Sequence, residues 1–206
     1  MRPKYGGTAS EKIAHTIWSF FIFEEVIKVQ VYLACSKEET KMQYKELASI
    51  VATKLSSLGF TLVSKTFDSG MIFKSIMTFK YEDKPIIGVS DVNDANGIDE
   101  SEYVDSIVTK NTFERTKEIF KLSDLIIVLP GGLGTLSELF SFIDEMRTKK
   151  IYKRVILFNY NNYYSDILKF IIKAHDEGFM SEDDIKLISI VNDINTLNDF
   201  LERMER

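Results

Sequence analysis

Residues 123–138, Ser-Asp-Leu-Ile-Ile-Val-Leu-Pro-Gly-Gly-Leu-Gly-Thr-Leu-Ser-Glu, constrain the fold more than any other stretch. Leu125 to Leu129 is a short, unbroken apolar run rich in β-branched residues, the pattern of a strand buried on both faces in a parallel sheet. Pro130 cannot donate to a ladder and closes the strand. Gly131, Gly132 and Gly134 then permit a tight turn and close approach to the backbone. From Thr135 onward, Leu136, Leu139, Phe140, Ile143 and Met146 recur at helical spacing, so a helix is expected to begin at the turn. Strand, glycine turn and helix N-terminus gather unpaired N–H groups and a positive dipole end around one point. Such a point holds an anion, most often a phosphate. The turn is neither a G-x-G-x-x-G fingerprint nor a P-loop, because no G-K-[ST] follows. A bare G-G-x-G is equally what an ordinary βα turn with packing glycines looks like.

The rest of the chain alternates in the same way. Strands are expected over 27–34, 60–64, 85–90, 103–108, 154–158 and 187–191, and helices over 41–58, 69–79, 112–122, 163–177 and 195–204. Residues 91–102 read as a polar loop. The alternation specifies a single-domain, Rossmann-like three-layer α/β fold: a doubly wound, mainly parallel sheet flanked by helices. In such a sheet a ligand sits beyond the carboxyl ends of the strands, at the switch point in strand order. The domain is expected over residues 28–206, preceded by an N-terminal extension, residues 1–27. Ile13 to Phe23 is strongly apolar, but Glu24, Glu25 and Lys28 follow at once, and the run is too short to span a bilayer. Three readings stand side by side: an added amphipathic helix covering the sheet, a subunit contact, or a natural start near Val29.

The wider pattern Pro-Gly-Gly-x-Gly-Thr-x-x-Glu, Pro130 to Glu138, resembles the signature of the LOG family. These are the cytokinin-activating nucleoside-monophosphate phosphoribohydrolases that also carry the label "lysine decarboxylase". Glu114-Arg115 resembles the Glu-Arg of the family's Met-His-Glu-Arg-Lys segment, with Arg115 fifteen positions before Pro130. Lys153, Asn159, Tyr163-Tyr164 and Glu177-Gly178-Phe179 fall where the family has its K-P, its Asn-x-x-Gly-Tyr-Tyr and its Glu-Gly-Phe. The resemblance covers roughly residues 111–180. It implies hydrolysis of the N-glycosidic bond of a purine nucleoside 5′-monophosphate, whose adenine may carry an N6-prenyl group, to free base and ribose 5-phosphate. It also implies a homodimer, cytoplasmic residence and no cofactor. By carry-over, Gly131, Gly132, Leu133, Gly134 and Thr135 would hold the phosphate. Glu138 and Arg115 would be catalytic: the carboxylate stabilises an oxocarbenium-like state and orients water, and the guanidinium grips phosphate or ribose, or steers Glu138.

Each of these residues also has a plainer reading. Thr135-x-x-Glu138 is a capping box, in which Glu138 would bond the Thr135 amide. Arg115 could be a solvated residue on a charged helix with Lys110, Glu114, Lys117 and Glu118. Tyr163 and Tyr164 fit packing, His175 a helix C-terminal dipole partner, and Cys35 a buried small hydrophobe without a histidine to activate it. One cysteine excludes an internal disulfide, and two histidines without clustered Cys/His spacing argue against a zinc site, so no metal is expected. A net charge of −5 without a basic stripe argues against nucleic acid, and 45% hydrophobic with 28% charged residues is the composition of a water-soluble globular chain rather than a membrane protein. Nothing marks the lysine-bound cofactor on which decarboxylases depend.

The chain departs from the family pattern on the other side of the expected site. The glycine-rich loop after strand two, roughly Gly-Gly-Gly-x-x-Gly-Leu-Met-Gly, is here Thr66-Phe67-Asp68-Ser69-Gly70-Met71-Ile72, where Phe67 and Asp68 would crowd and repel a phosphate. The family's Cys-Gly-Ser is Cys35-Ser36-Lys37, with Lys37 a compensating charge. Asp144-Glu145 and Arg147 stand where Thr-Trp and Gln are expected, and Thr116 replaces a lysine. A phosphoribohydrolase and a non-catalytic nucleotide-binding or sensor module are the two readings that follow. The retained Arg115 and Glu138 favour the enzyme, and the lost glycines favour the binder.

Overall fold

The computed structural model describes residues 29–94 and 103–204. The expected N-terminal extension, residues 1–27, and most of the polar loop over 91–102 lie outside them. In chain order the elements are β1 (Gln30–Ala34), α1 (Met42–Ser57), β2 (Thr61–Lys65), α2 (Gly70–Tyr81), β3 (Ile86–Asp91), β4 (Asp105–Thr109), α3 (Thr112–Leu122), β5 (Leu125–Val128), α4 (Leu133–Lys149), β6 (Arg154–Phe158), α5 (Ser165–Asp176), the short α6 (Glu182–Ile185), β7 (Ser189–Val191) and α7 (Ile194–Met204). The seven strands form one sheet in the order β4-β3-β2-β1-β5-β6-β7, and every pairing is parallel. The doubly wound expectation is therefore met, and the strand order reverses between β1 and β5. The α6 helix was not expected from the sequence. Its Ser181 capping box and first-turn acids, Glu182 to Asp184, explain why four residues can hold a turn there.

Strand alternation divides the core in two. Val31, Leu33 and Cys35 face one side with Leu62, Leu125 and Ile127, where α1, α2 and α7 deliver Leu47, Val51, Leu55, Ile76, Phe79, Leu197 and Leu201. Tyr32 and Ala34 face the other with Val63, Val89, Ile126 and Val128, covered by α3 and α4 through Ile119, Phe120, Leu139, Phe142, Ile143 and Met146. The period of two therefore sends Tyr32, Lys65 and Asp91 toward α3 and α4. On α4, Leu139 and Ile143 are buried within this core, while Phe140 between them is exposed.

Candidate functional site

The β5–α4 connection forms as its sequence dictates, with one shift. The helix starts at Leu133, two residues earlier than expected, and Gly132 takes the N-cap position in extended conformation. Gly132 has no side chain with which to cap, so the first-turn amides keep their donors, as unfilled helix N-termini do. The three glycines serve different ends. A Cβ on Gly131 would lie 2.2 Å from the Thr135 hydroxyl, so that glycine is required by the packing of the turn itself. At Gly132 and Gly134 a Cβ would meet nothing within 4 Å. Packing gives no reason for glycine there, whereas a ligand approaching the backbone does.

The turn is held from behind. The Tyr163 hydroxyl donates to the Gly131 carbonyl at 3.1 Å and the Tyr164 hydroxyl to the Leu129 carbonyl at 2.7 Å. Burial first, then neighbouring Tyr163, raises the Tyr164 pKa and keeps its phenol a neutral donor. Asn159 accepts from the Tyr164 amide at 2.8 Å, and Lys153 donates to the carbonyls of Phe120, Lys121 and Ser123 at the end of α3. These four motif residues are supports around the site. Cys35 is buried, and desolvation pushes its thiol up to about 12, which suits the inert reading.

In front of the turn lies a cavity of about 430 Å³. Gly132 to Thr135, Ser137 and Glu138 line it from the N-cap and first turns of α4, Thr112, Arg115 and Thr116 from α3, Cys35 to Glu38 after β1, Lys65 from the end of β2 and Phe67 after it. The structure thus brings together all the sequence-predicted site residues except Gly131, which supports the turn from beneath. Asp68 is exposed and outside this lining, while Phe67 stands within it, with the Lys37 ammonium 4.5 Å and the Arg115 guanidinium 5.6 Å from its ring centre.

Glu138 is 7% exposed and does not form the capping box. Thr135 already lies inside the helix, so its amide is not the cap, and the carboxylate turns to the sheet instead. Tyr32 donates to Oε2 at 2.8 Å and the Lys65 ammonium to Oε1 at 2.9 Å. Burial, then the charge of Glu138, pushes the Tyr32 hydroxyl well above its ordinary value, so it remains a donor. Arg115, 6% exposed, is not the solvated residue of the plainer reading. Its Nη1 meets Asp91 at 2.9 Å and Asp94 at 2.6 Å, rather than Glu138, while its buried Nε has no partner among the described residues. Burial pushes the Asp91 carboxyl up, but bonds from Thr112 and the Asn93 amide, with the Arg115 charge, bring it below its usual range. Two aspartates offset the Arg115 charge, so the cation beside Glu138 is Lys65.

Sequence reading missed Tyr32 and Lys65. The strand expected over 60–64 stops one residue short of Lys65. The available signal was a lysine ending an otherwise uncharged buried strand, two positions after Val63 and hence on the α4 face.

A family model described as "Possible lysine decarboxylase" matches residues 70–201. The cytokinin riboside 5′-monophosphate phosphoribohydrolase LOG1 of Arabidopsis thaliana is 30% identical over 176 residues, 83% of each chain. The Arabidopsis phosphoribohydrolase LOG3 is 46% identical over 68 residues, 33% of this chain and 32% of that one. Among solved structures, the molybdenum cofactor binding protein of Rippkaea orientalis has a TM-score of 0.66 at 18% identity, covering 87% of this chain and 98% of that one. The molybdenum cofactor carrier protein of Chlamydomonas reinhardtii has a TM-score of 0.64 at 18% identity, with 85% and 97% covered. At such identities the two structures establish the shared fold and nothing about ligands.

Proposed function

The chain belongs to the LOG family, described as "Possible lysine decarboxylase", and from that premise we propose that it hydrolyses the N-glycosidic bond of a purine nucleoside 5′-monophosphate. Water adds at C1′ as the bond to the base breaks. The electron pair leaves with the base, which takes up a proton, and the products are free base and ribose 5-phosphate. The observation that carries this reading is the buried Glu138 carboxylate in the same cavity as the uncapped N-terminus of α4. The phosphate rests on the first-turn amides, where backbone donors and dipole favour an anion. The sugar then lies along α4 toward Glu138. Each Glu138 oxygen accepts one protein bond and keeps lone-pair capacity for a hydroxyl or the attacking water. Its charge opposes the positive charge that develops on the ribosyl ring. Phe67 lines the cavity and offers an aromatic ring to the base, which in the relatives' names is a cytokinin; an N6-prenyl adenine is the finer form of the proposal. A cytoplasmic homodimer belongs to the same reading, and light scattering checks the dimer.

One observation favours the binding-module reading. Lys65 places a positive charge next to the carboxylate that should stabilise a developing cation. The test is to incubate the purified protein with AMP and with its N6-isopentenyl derivative and to resolve released base by chromatography, beside Glu138→Ala. The hydrolase reading expects release from at least one nucleotide, reduced about 10²–10⁴-fold in the variant. Release unaffected by the substitution moves the chemistry away from Glu138. No release, with either nucleotide raising the melting temperature, replaces the enzyme by a binding module.

A further inference from the structure

The mechanism above has no use for Lys65, yet its side chain is among the most buried charges in the described residues. Lys65 and Glu138 are each 9% exposed in their side chains and meet at 2.9 Å at the cavity wall. Enclosing two such charges is costly unless their remaining donors and acceptors find partners. The bond to Glu138 takes one of three ammonium N–H groups, and the two carboxylate oxygens, already bonded to Lys65 and Tyr32, retain further acceptor sites. A donor-rich cation and an acceptor-rich anion therefore stand side by side on the wall of the cavity.

Their place along α4 matters. Glu138 follows Gly134 by four residues, about 6 Å of helix at 1.5 Å per residue. An anion on the first-turn amides would thus put a group one helical turn away beside the pair, comparable to the reach from a 5-phosphate to the ring hydroxyls of a pentose. A hydroxyl donates one hydrogen bond and accepts two, so a vicinal diol matches the pair on both sides: its O–H groups donate to Glu138 and its oxygens accept from Lys65. Resting on the nucleotide reading above, we propose that the Lys65–Glu138 pair reads the ribosyl hydroxyls and that Lys65 selects ribose over 2′-deoxyribose 5′-phosphates. A deoxy sugar leaves one buried charged site unfilled, the situation in which a polar pocket discriminates most strongly. Tyr32 fixes the carboxylate from behind, and Lys65 makes the contact.

The experiment is calorimetric titration of the full chain with ribose 5-phosphate and with 2-deoxyribose 5-phosphate, for the wild type, Lys65→Gln, Glu138→Gln and the double variant K65M/E138Q. The wild type is expected to prefer the ribose compound at least about tenfold, and Lys65→Gln to reduce the ratio to within about twofold. The double variant carries no unpaired buried charge and serves, against Glu138→Gln alone, if Lys65→Gln does not fold. A wild type that does not distinguish the two sugars, or binds neither, overturns the proposal. So does a preference that survives the loss of Lys65. The two readings fail separately: a sugar preference that Lys65→Gln abolishes, without base release from AMP, refutes the hydrolase and supports Lys65 as the selector. Release of adenine from AMP, with equal affinity for the two sugar phosphates, keeps the hydrolase and refutes the selector.

Discussion

The N-termini of α2 and α4 stand at the same edge of the sheet, each after a buried strand and each entered through glycine. At α2 the chain fills its own helix end. The Ser36 carbonyl accepts from the Met71 and Ile72 amides at 2.9 and 3.3 Å, and the Ser69 hydroxyl donates to the Lys37 carbonyl at 2.8 Å. At α4 no side chain among the described residues caps the helix, and the first turn lines the cavity. Two helix ends with the same intrinsic dipole thus have different availability, because one carries a carbonyl from the neighbouring loop and the other does not. The loss of glycines after β2 is intelligible in this light: a loop that closes on the protein itself needs no room for a ligand. Gly70 alone is retained, because φ is +63° and a Cβ there would meet the backbone of Lys37 and Glu38.

Gly70→Ala is the hardest test of that contrast. A Cβ would lie 2.6 Å from the Lys37 carbonyl in a left-handed residue, so strain and overlap together are expected to cost about 2–5 kcal/mol in denaturant melts. A loss under about 1 kcal/mol would mean that the α2 end is not closed in solution. Gly131→Ala meets a β-branched Thr135 at 2.2 Å and is expected to cost about 1–3 kcal/mol. Tyr164→Phe removes the donor to the buried Leu129 carbonyl and should cost about 1–2 kcal/mol, with weaker nucleotide binding as the turn loosens. Gly134→Ala is expected to change stability by less than about 1 kcal/mol, since nothing lies within 4 Å and alanine favours helix. Its effect falls on the ligand: AMP affinity measured by calorimetry should drop about tenfold or more. Unchanged affinity would remove the phosphate from the α4 turn.

Cys35 supplies the pH test, with the smallest effect at neutral pH. Its thiol is pushed up to about 12 in the folded chain, against an ordinary value near 8.5. The raised value stabilises the fold fully below the ordinary thiol range, and this contribution is lost as pH rises from there toward 12. Iodoacetamide at pH 8.5 should therefore label Cys35 slowly in the native protein and quickly in denaturant. Fast native labelling would show that the loops after β1 and β2 open.

The strand, glycine turn and helix of 125–149 were legible because each is a local pattern: a five-residue apolar run, a proline stop and a helical period. The parallel sheet followed from strand–helix alternation, and Arg115 and Glu138 were found through motif spacing. Their partners were not. The plainer reading of Glu138, a capping box from its three-residue spacing to Thr135, fails because the helix starts earlier, which puts Thr135 inside it and turns the carboxylate to the sheet. The plainer reading of Arg115 as an exposed charge rests on its charged neighbours on α3, whereas its ion-pair partners, Asp91 and Asp94, come from the end of β3 and the turn after it.

The sequence by itself determined where a helix N-terminus follows a glycine turn, because both are built from adjacent residues and short-range geometry. Only the tertiary structure decided what surrounds it. Tyr32 and Lys65 reach Glu138 across separations of 106 and 73 residues, and Ser36 closes the α2 end across a loop. Those contacts depend on strand order, on which face the period of two presents, and on the depth of each strand end. A linear pattern specifies the alternation but not which strands become neighbours.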